Sequence, residues 1–189
     1  MIRRFAAALL LLAVGLLSAG DELAPEVRDR ALKVIQALEK LEAEQARAPA
    51  RAGRSYVVPE ADLNAWIAFR IATEAEKHLK SCELKLLDGD RAEGRLVLDL
   101  AGTPAAVLYA PRAEIFFAAS AESRDGKIRI TMQRLFLGTQ ELSPDILDTI
   151  IGLVAALEGK PASSLKDWYP LPYGIRRLQS GPGRLVCHY

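Results

Sequence analysis

The amino-acid sequence predicts an α+β domain: a bent antiparallel sheet packed on two core helices, with an additional amphipathic helix at the N-terminus. Three observations predict it. Apolar residues recur at helical spacing in three stretches, near 27–41, 63–75 and 146–157. Between the second and third, apolar residues alternate with polar ones and the runs are broken by Asp88-Gly89 and Asp125-Gly126, a hairpin pattern. One of those runs changes parity partway, which bends a strand.

The N-terminus reads as an address. Met1-Ile2-Arg3-Arg4 is a short basic start, Phe5 to Leu17 is an uncharged apolar run, and Ser18-Ala19-Gly20 supplies small residues before Asp21. This is the order of a secretory signal peptide, expected to be removed after Gly20. The alternative is a retained anchor, although the run is shorter than the roughly 20 residues that span a bilayer. Loss of Arg3 and Arg4 takes the formal net charge from +1 to −1. A chain this near neutrality, with no long basic run, excludes a nucleic-acid surface built on charge.

The division expected is a signal peptide over 1–20, a helix and linker over 21–54, and an α+β domain over 55–189. In the helix of 21–48, Val27, Ala31, Val34, Leu38 and Leu41 form one apolar stripe and charged residues fill the other face. That stripe, within 27–41, is the face expected to dock on an envelope partner if one exists. Pro49 ends the helix and 48–54 links it onward.

Ser55 to Val58 is extended because it precedes Pro59, which opens a second helix with Glu60 and Asp62 in its first turn. Leu63, Trp66, Ile67, Ile71 and Ala75 give that helix one apolar face, running to about Lys80. Cys82, Leu84 and Leu86 then alternate with polar neighbours, as do Leu96, Leu98 and Leu100 across the Asp88-Gly89 turn. Residues 101–106 read as a loop or an edge. Ile115, Phe117 and Ala119 share a strand face, and 124–127 is a turn. Ile128, Ile130 and Met132 share one parity while Leu135 and Leu137 take the other, so a bulge falls near Gln133 and Arg134. Ser143, Pro144 and Asp145 start a third helix, apolar on more than one face, which Gly159 and Pro161 stop. A proline-aromatic connection over 167–174 leads to a last hairpin, with Leu185, Cys187 and Tyr189 on one face.

Chemistry-bearing patterns are scarce. No G-x-S-x-G, H-E-x-x-H, P-loop or G-x-G-x-x-G occurs. His78 falls late in a charged helix and reads as solvated; His188 points away from Cys187, since strand neighbours face opposite sides. Asp88 and Asp90 flank Gly89 in a hairpin turn and lack the other ligands of a calcium loop. No enzyme, cofactor or metal is expected. Cys82 and Cys187 both point inward. In an oxidising compartment they pair as a disulfide if their strands are neighbours; otherwise they stay as two buried thiols.

The order of elements resembles small exported bacterial proteins of tubular lipid-binding (TULIP-like) type, over about residues 55–189. The stretch "VVPEADLNAW" resembles their E-x-x-L-N entry, "LKLLDGDRAEGRLVLDL" their first long hairpin, "DGKIRITMQRLFLGTQELSPDILDTII" their strand leading into an apolar helix, and "PLPYGIRRL" the entry to their closing hairpin. The short chain and the weak strand character of 101–112 depart from the pattern. The resemblance implies that Leu63 packs inward and that Asn64, the chain's only asparagine, bonds backbone near the helix start. It also implies a lipid or other apolar ligand held without catalysis, in a periplasmic or secreted protein. Trp66, Phe117, Ile150 and Val154 are the expected lining, each bulky and on an apolar stripe. The competing expectation is a cell-envelope interaction module with a solid core and no ligand.

Overall fold

The computed structural model describes residues 23–47, 53–73, 78–101, 111–146, 148–149 and 164–189. The predicted signal peptide, and most of the predicted third helix with Ile150 and Val154, lie outside the described residues. Of that helix, 145, 146, 148 and 149 are described and are helical.

The architecture is α+β, as predicted. Among the described residues, the helices α1 (Pro25–Arg47) and α2 (Glu60–Thr73) accompany nine strands, beside the helical residues 145, 146, 148 and 149. Strands β2 (Leu79–Leu87), β3 (Arg91–Asp99), β4 (Arg112–Arg124), β5 (Lys127–Leu137) and β6 (Gln140–Leu142) form an antiparallel sheet in that order, and β7 (Tyr169–Pro170) also pairs with β5. This sheet curls into a half-barrel. A second sheet takes β1 (Ser55–Pro59), β9 (Arg184–His188) and β8 (Arg177–Gly181), with β9 in the middle. The sequence pattern had implied one sheet, because β1 looks like no more than the approach to α2. Its partner lies at the far end of the chain.

The predicted bulge is present. Ala118 pairs with Arg134 and Ala119 with Met132, so Gln133 is the extra residue. Ile128 before it and Leu135 after it are both buried, which explains the parity change. Helix α2 does not reach Lys80: Leu79 and Lys80 already belong to β2, where Leu79 pairs with Leu98. His78 is therefore no helical surface residue. Its Nδ1 lies 2.9 Å from the Asp99 carbonyl oxygen, at the end of β3.

Helix α1 is part of the same core. Ala31, Val34, Leu38 and Leu41 are buried, and the last three join Trp66, Ile67, Phe117 and Leu135 in one hydrophobic cluster. From Ala31 to Leu41 the stripe assigned to an envelope partner is thus covered by the protein itself, and burying it yields more than leaving it wet, while Val27 is half-buried. Leu32 is the large apolar side chain that α1 leaves exposed.

The expected Cys82–Cys187 disulfide is not formed. Both thiols are free and buried. The condition for pairing fails, because Cys82 stands on β2 of one sheet and Cys187 on β9 of the other.

Candidate ligand cavity

Helix α2 is fastened to the edge of the curled sheet by two side chains. Asn64 Nδ2 donates to the Leu84 carbonyl at 2.8 Å, and the Leu84 N–H donates back to Asn64 Oδ1 at 2.8 Å. One turn earlier, Glu60 Oε2 accepts the Leu86 N–H at 2.5 Å. The spacing works because four helical residues rise about 6 Å and two strand residues about 6.7 Å. Asn64 thus bonds backbone as expected, but that of β2 and not that of its own helix start. Glu60 and Asn64 are the first and last residues of the E-x-x-L-N stretch, and Leu63 turns inward between them.

That fastening holds the apolar face of α2 above the concave side of the sheet and leaves a cavity of about 180 Å³. Its floor is Leu84, Leu86, Ala92, Phe117 and Ala119, with Ile130 and Met132 of β5. Leu63, Trp66 and Ile67 of α2 cover it, together with Val34 and Leu38 of α1. Val58, Leu178, Leu185 and Cys187 of the second sheet and the Leu171–Ile175 connection close the sides.

Polar groups at the wall are few, and Ser180 and Asp90 among them are bonded to one another. The Ser180 N–H donates to Asp90 Oδ1 at 2.8 Å, and its hydroxyl donates to the Leu87 carbonyl at 2.9 Å. The second sheet is stitched on nearby by Ser123, whose hydroxyl donates to the Leu178 carbonyl at 2.7 Å and accepts the Leu178 N–H at 2.8 Å. Burial pushes the Cys187 thiol up to about 12, so it stays protonated at neutral pH and is a poor nucleophile. Burial does the same to Cys82, with Glu83 adding to it. Among the described residues no group of three or more His, Cys, Asp or Glu side chains could hold a metal ion. The cavity can hold an apolar group by burial and dispersion. Its volume is that of a benzene-sized or short alkyl guest, since a dry cavity of about 150 Å³ accepts benzene, and it is below the roughly 300 Å³ at which drug-sized pockets begin.

Of the four expected lining residues, Trp66 and Phe117 both face the cavity. Ile150 and Val154 lie outside the described residues. The sequence reading missed Val34 and Leu38, which it had assigned to a partner, and Cys187, which it had assigned to a disulfide. A signal for Met132 was present in its shared parity with Ile128 and Ile130.

In comparisons with known proteins, no family model matches the chain and no curated protein matches it. Among the described residues no helix is long and apolar enough to cross a membrane.

Proposed function

We propose that this protein is an exported, non-catalytic binder of a lipid or another apolar molecule, of tubular lipid-binding type, working in the periplasm or outside the cell. The observation that carries the reading is the cavity between the curled sheet and α2, whose wall is mostly apolar and whose Ser180 and Asp90 are bonded within the protein. The volume favours a small or single-chain guest over a whole phospholipid. The signal-like start of the chain supports export, and the wrapping of a curled sheet about apolar helices supports the kinship.

Native mass spectrometry of the protein purified from its own host tests this. The expected spectrum carries a mass increment that dissociates as a lipid, on a polypeptide beginning at Asp21. A bare polypeptide that also fails to take up fatty acid overturns the binding reading, and a chain retaining Met1 to Gly20 overturns the processing.

A second reading, an envelope interaction module without ligand, rests on a different feature. A groove of about 1030 Å³ runs beside α2 along Ala61, Ala65, Ala68 and Ala72, with β2, β3 and the exposed Phe116 opposite. Failure of uptake with a solid, stable core favours that reading.

A further inference from the structure

Gly94 lies in the middle of β3, paired with Leu84 on one side and Phe117 on the other. Leu84, Gly94, Phe117 and Leu135 form one row across the concave face. Phe117 is buried, with its ring on the cavity floor. A Cβ built on Gly94 would fall on that ring, 2.6 Å from Cε1, 2.9 Å from Cε2 and nearer still to Cζ. The end of the Phe117 side chain therefore lies flat over the Gly94 backbone, in the space a side chain would fill. Glycine costs a strand some stability, and an aromatic neighbour lying across it restores the lost packing.

We infer that Gly94 sets the capacity of the cavity, by letting the Phe117 ring lie down on the sheet. The inference rests on the binding reading. With any Cβ at 94, the ring tip must move by an ångström or so to reach ordinary contact, about 3.5–4 Å between carbons. The sheet backbone lies beneath it, so the ring rises into the cavity. The ring already bounds the space, so raising it by that ångström takes part of the 180 Å³ present. Gly94 is a positioning residue, acting through Phe117 and touching no ligand itself. It also makes the residue at 117 a selector of guest size.

The test measures octanoic, dodecanoic and hexadecanoic acid by displacement of a dansyl fatty acid from four proteins. These are wild type, Gly94→Ala, Phe117→Leu and the double variant, each checked for its fold by near-ultraviolet circular dichroism. Gly94→Ala is expected to lose about tenfold or more in affinity for the longest acid that wild type holds. Phe117→Leu is expected to gain affinity for that acid, and the double variant to match Phe117→Leu because no ring remains to be lifted. A wild type that binds none of the acids overturns the binding reading and this inference together. A wild type that binds, with Gly94→Ala unchanged or the double variant as weak as Gly94→Ala, overturns this inference alone. Should Gly94→Ala not fold, Phe117→Leu decides: an unchanged preference for acid length overturns the inference.

Discussion

The side-chain amide of Asn64 and the backbone of Leu84 exchange two hydrogen bonds, each 2.8 Å. Asn64 is thereby a one-residue strand, offering the edge of β2 the donor and acceptor that a neighbouring strand would offer. Replacing it by Ala leaves the half-buried Leu84 N–H and carbonyl without their partner, at a cost of about 1–3 kcal/mol. Asn64→Asp is expected to cost at least as much at neutral pH, because its second oxygen faces the Leu84 carbonyl as acceptor against acceptor. Chemical denaturation gives the magnitudes, and amide exchange at Leu84 should quicken in both variants.

Glu60 and Asn64 together guard that edge. Bare strand edges template pairing with other chains. The double variant Glu60→Ala/Asn64→Ala is therefore expected to self-associate where wild type does not. Sedimentation velocity over a range of concentrations checks this, and a strictly monodisperse double variant contradicts it.

The two thiols predict a falling stability at alkaline pH. Burial raises both to about 12, while an unfolded thiol titrates near 8.5. Between those values the unfolded chain has lost the proton that the folded chain keeps, so the unfolded state binds fewer protons and stability falls as pH rises. Below about pH 8.5 the stabilisation is fully present; each thiol loses about 1.4 kcal/mol per pH unit above it. Tyr56 and Tyr173, also raised mainly by burial, act in the same sense. The double variant Cys82→Ala/Cys187→Ala should flatten the melting temperature against pH above 9, compared with wild type (~9 being where the loss begins to tell). Both thiols of native, unreduced protein should resist iodoacetamide and react on unfolding.

Leu135 and Met132 separate core from cavity wall. Leu135 is fully buried at 0 % exposure, whereas Met132 is partly buried and faces the cavity. Leu135→Ala should cost about 2–5 kcal/mol. Met132→Ala should cost nearer 1 kcal/mol, since a cavity-facing side has no partner atoms to lose. Equal losses in denaturant titrations count against an open space beside Met132.

The salt bridge from Arg30 of α1 to Asp62 of α2, 3.0 Å long with Arg30 half exposed, should contribute less than about 1 kcal/mol. Asp62→Asn should leave the two helices packed through Val34 and Leu38, and its small effect should shrink as salt is added.

What was legible in the sequence was whatever is periodic and local. The bulge at Gln133 could be read because two parities meet within one run, and the inward faces of Cys82 and Cys187 because each alternates with polar neighbours. The sheets could not be told apart, because pairing β1 with β9 joins the two ends of the domain and leaves no trace in either strand's pattern. The disulfide expectation failed on that point alone. The stripe on α1 was read correctly as apolar, and most of it packs into the protein's own core, since an amphipathic face looks the same whether it meets its own core or another protein. Half of the expected cavity lining, Trp66 and Phe117, followed from bulk on an inward stripe; the space that Gly94 leaves for the ring depends on which residues stand opposite across three strands.

One margin of the curled sheet, at β2, is clipped by the side chains of Asn64 and Glu60, and Ser123 of the central strand β4 ties the sheet across to β8. A closed barrel has its radius dictated by strand number and shear, so its bore changes in steps. A half-tube fastened by clips obeys no such closure rule. Its bore is a continuous variable that a single substitution, at a clip or under a ring, can adjust while the strand count stays the same. Divergence among proteins built this way is accordingly expected in calibre before topology.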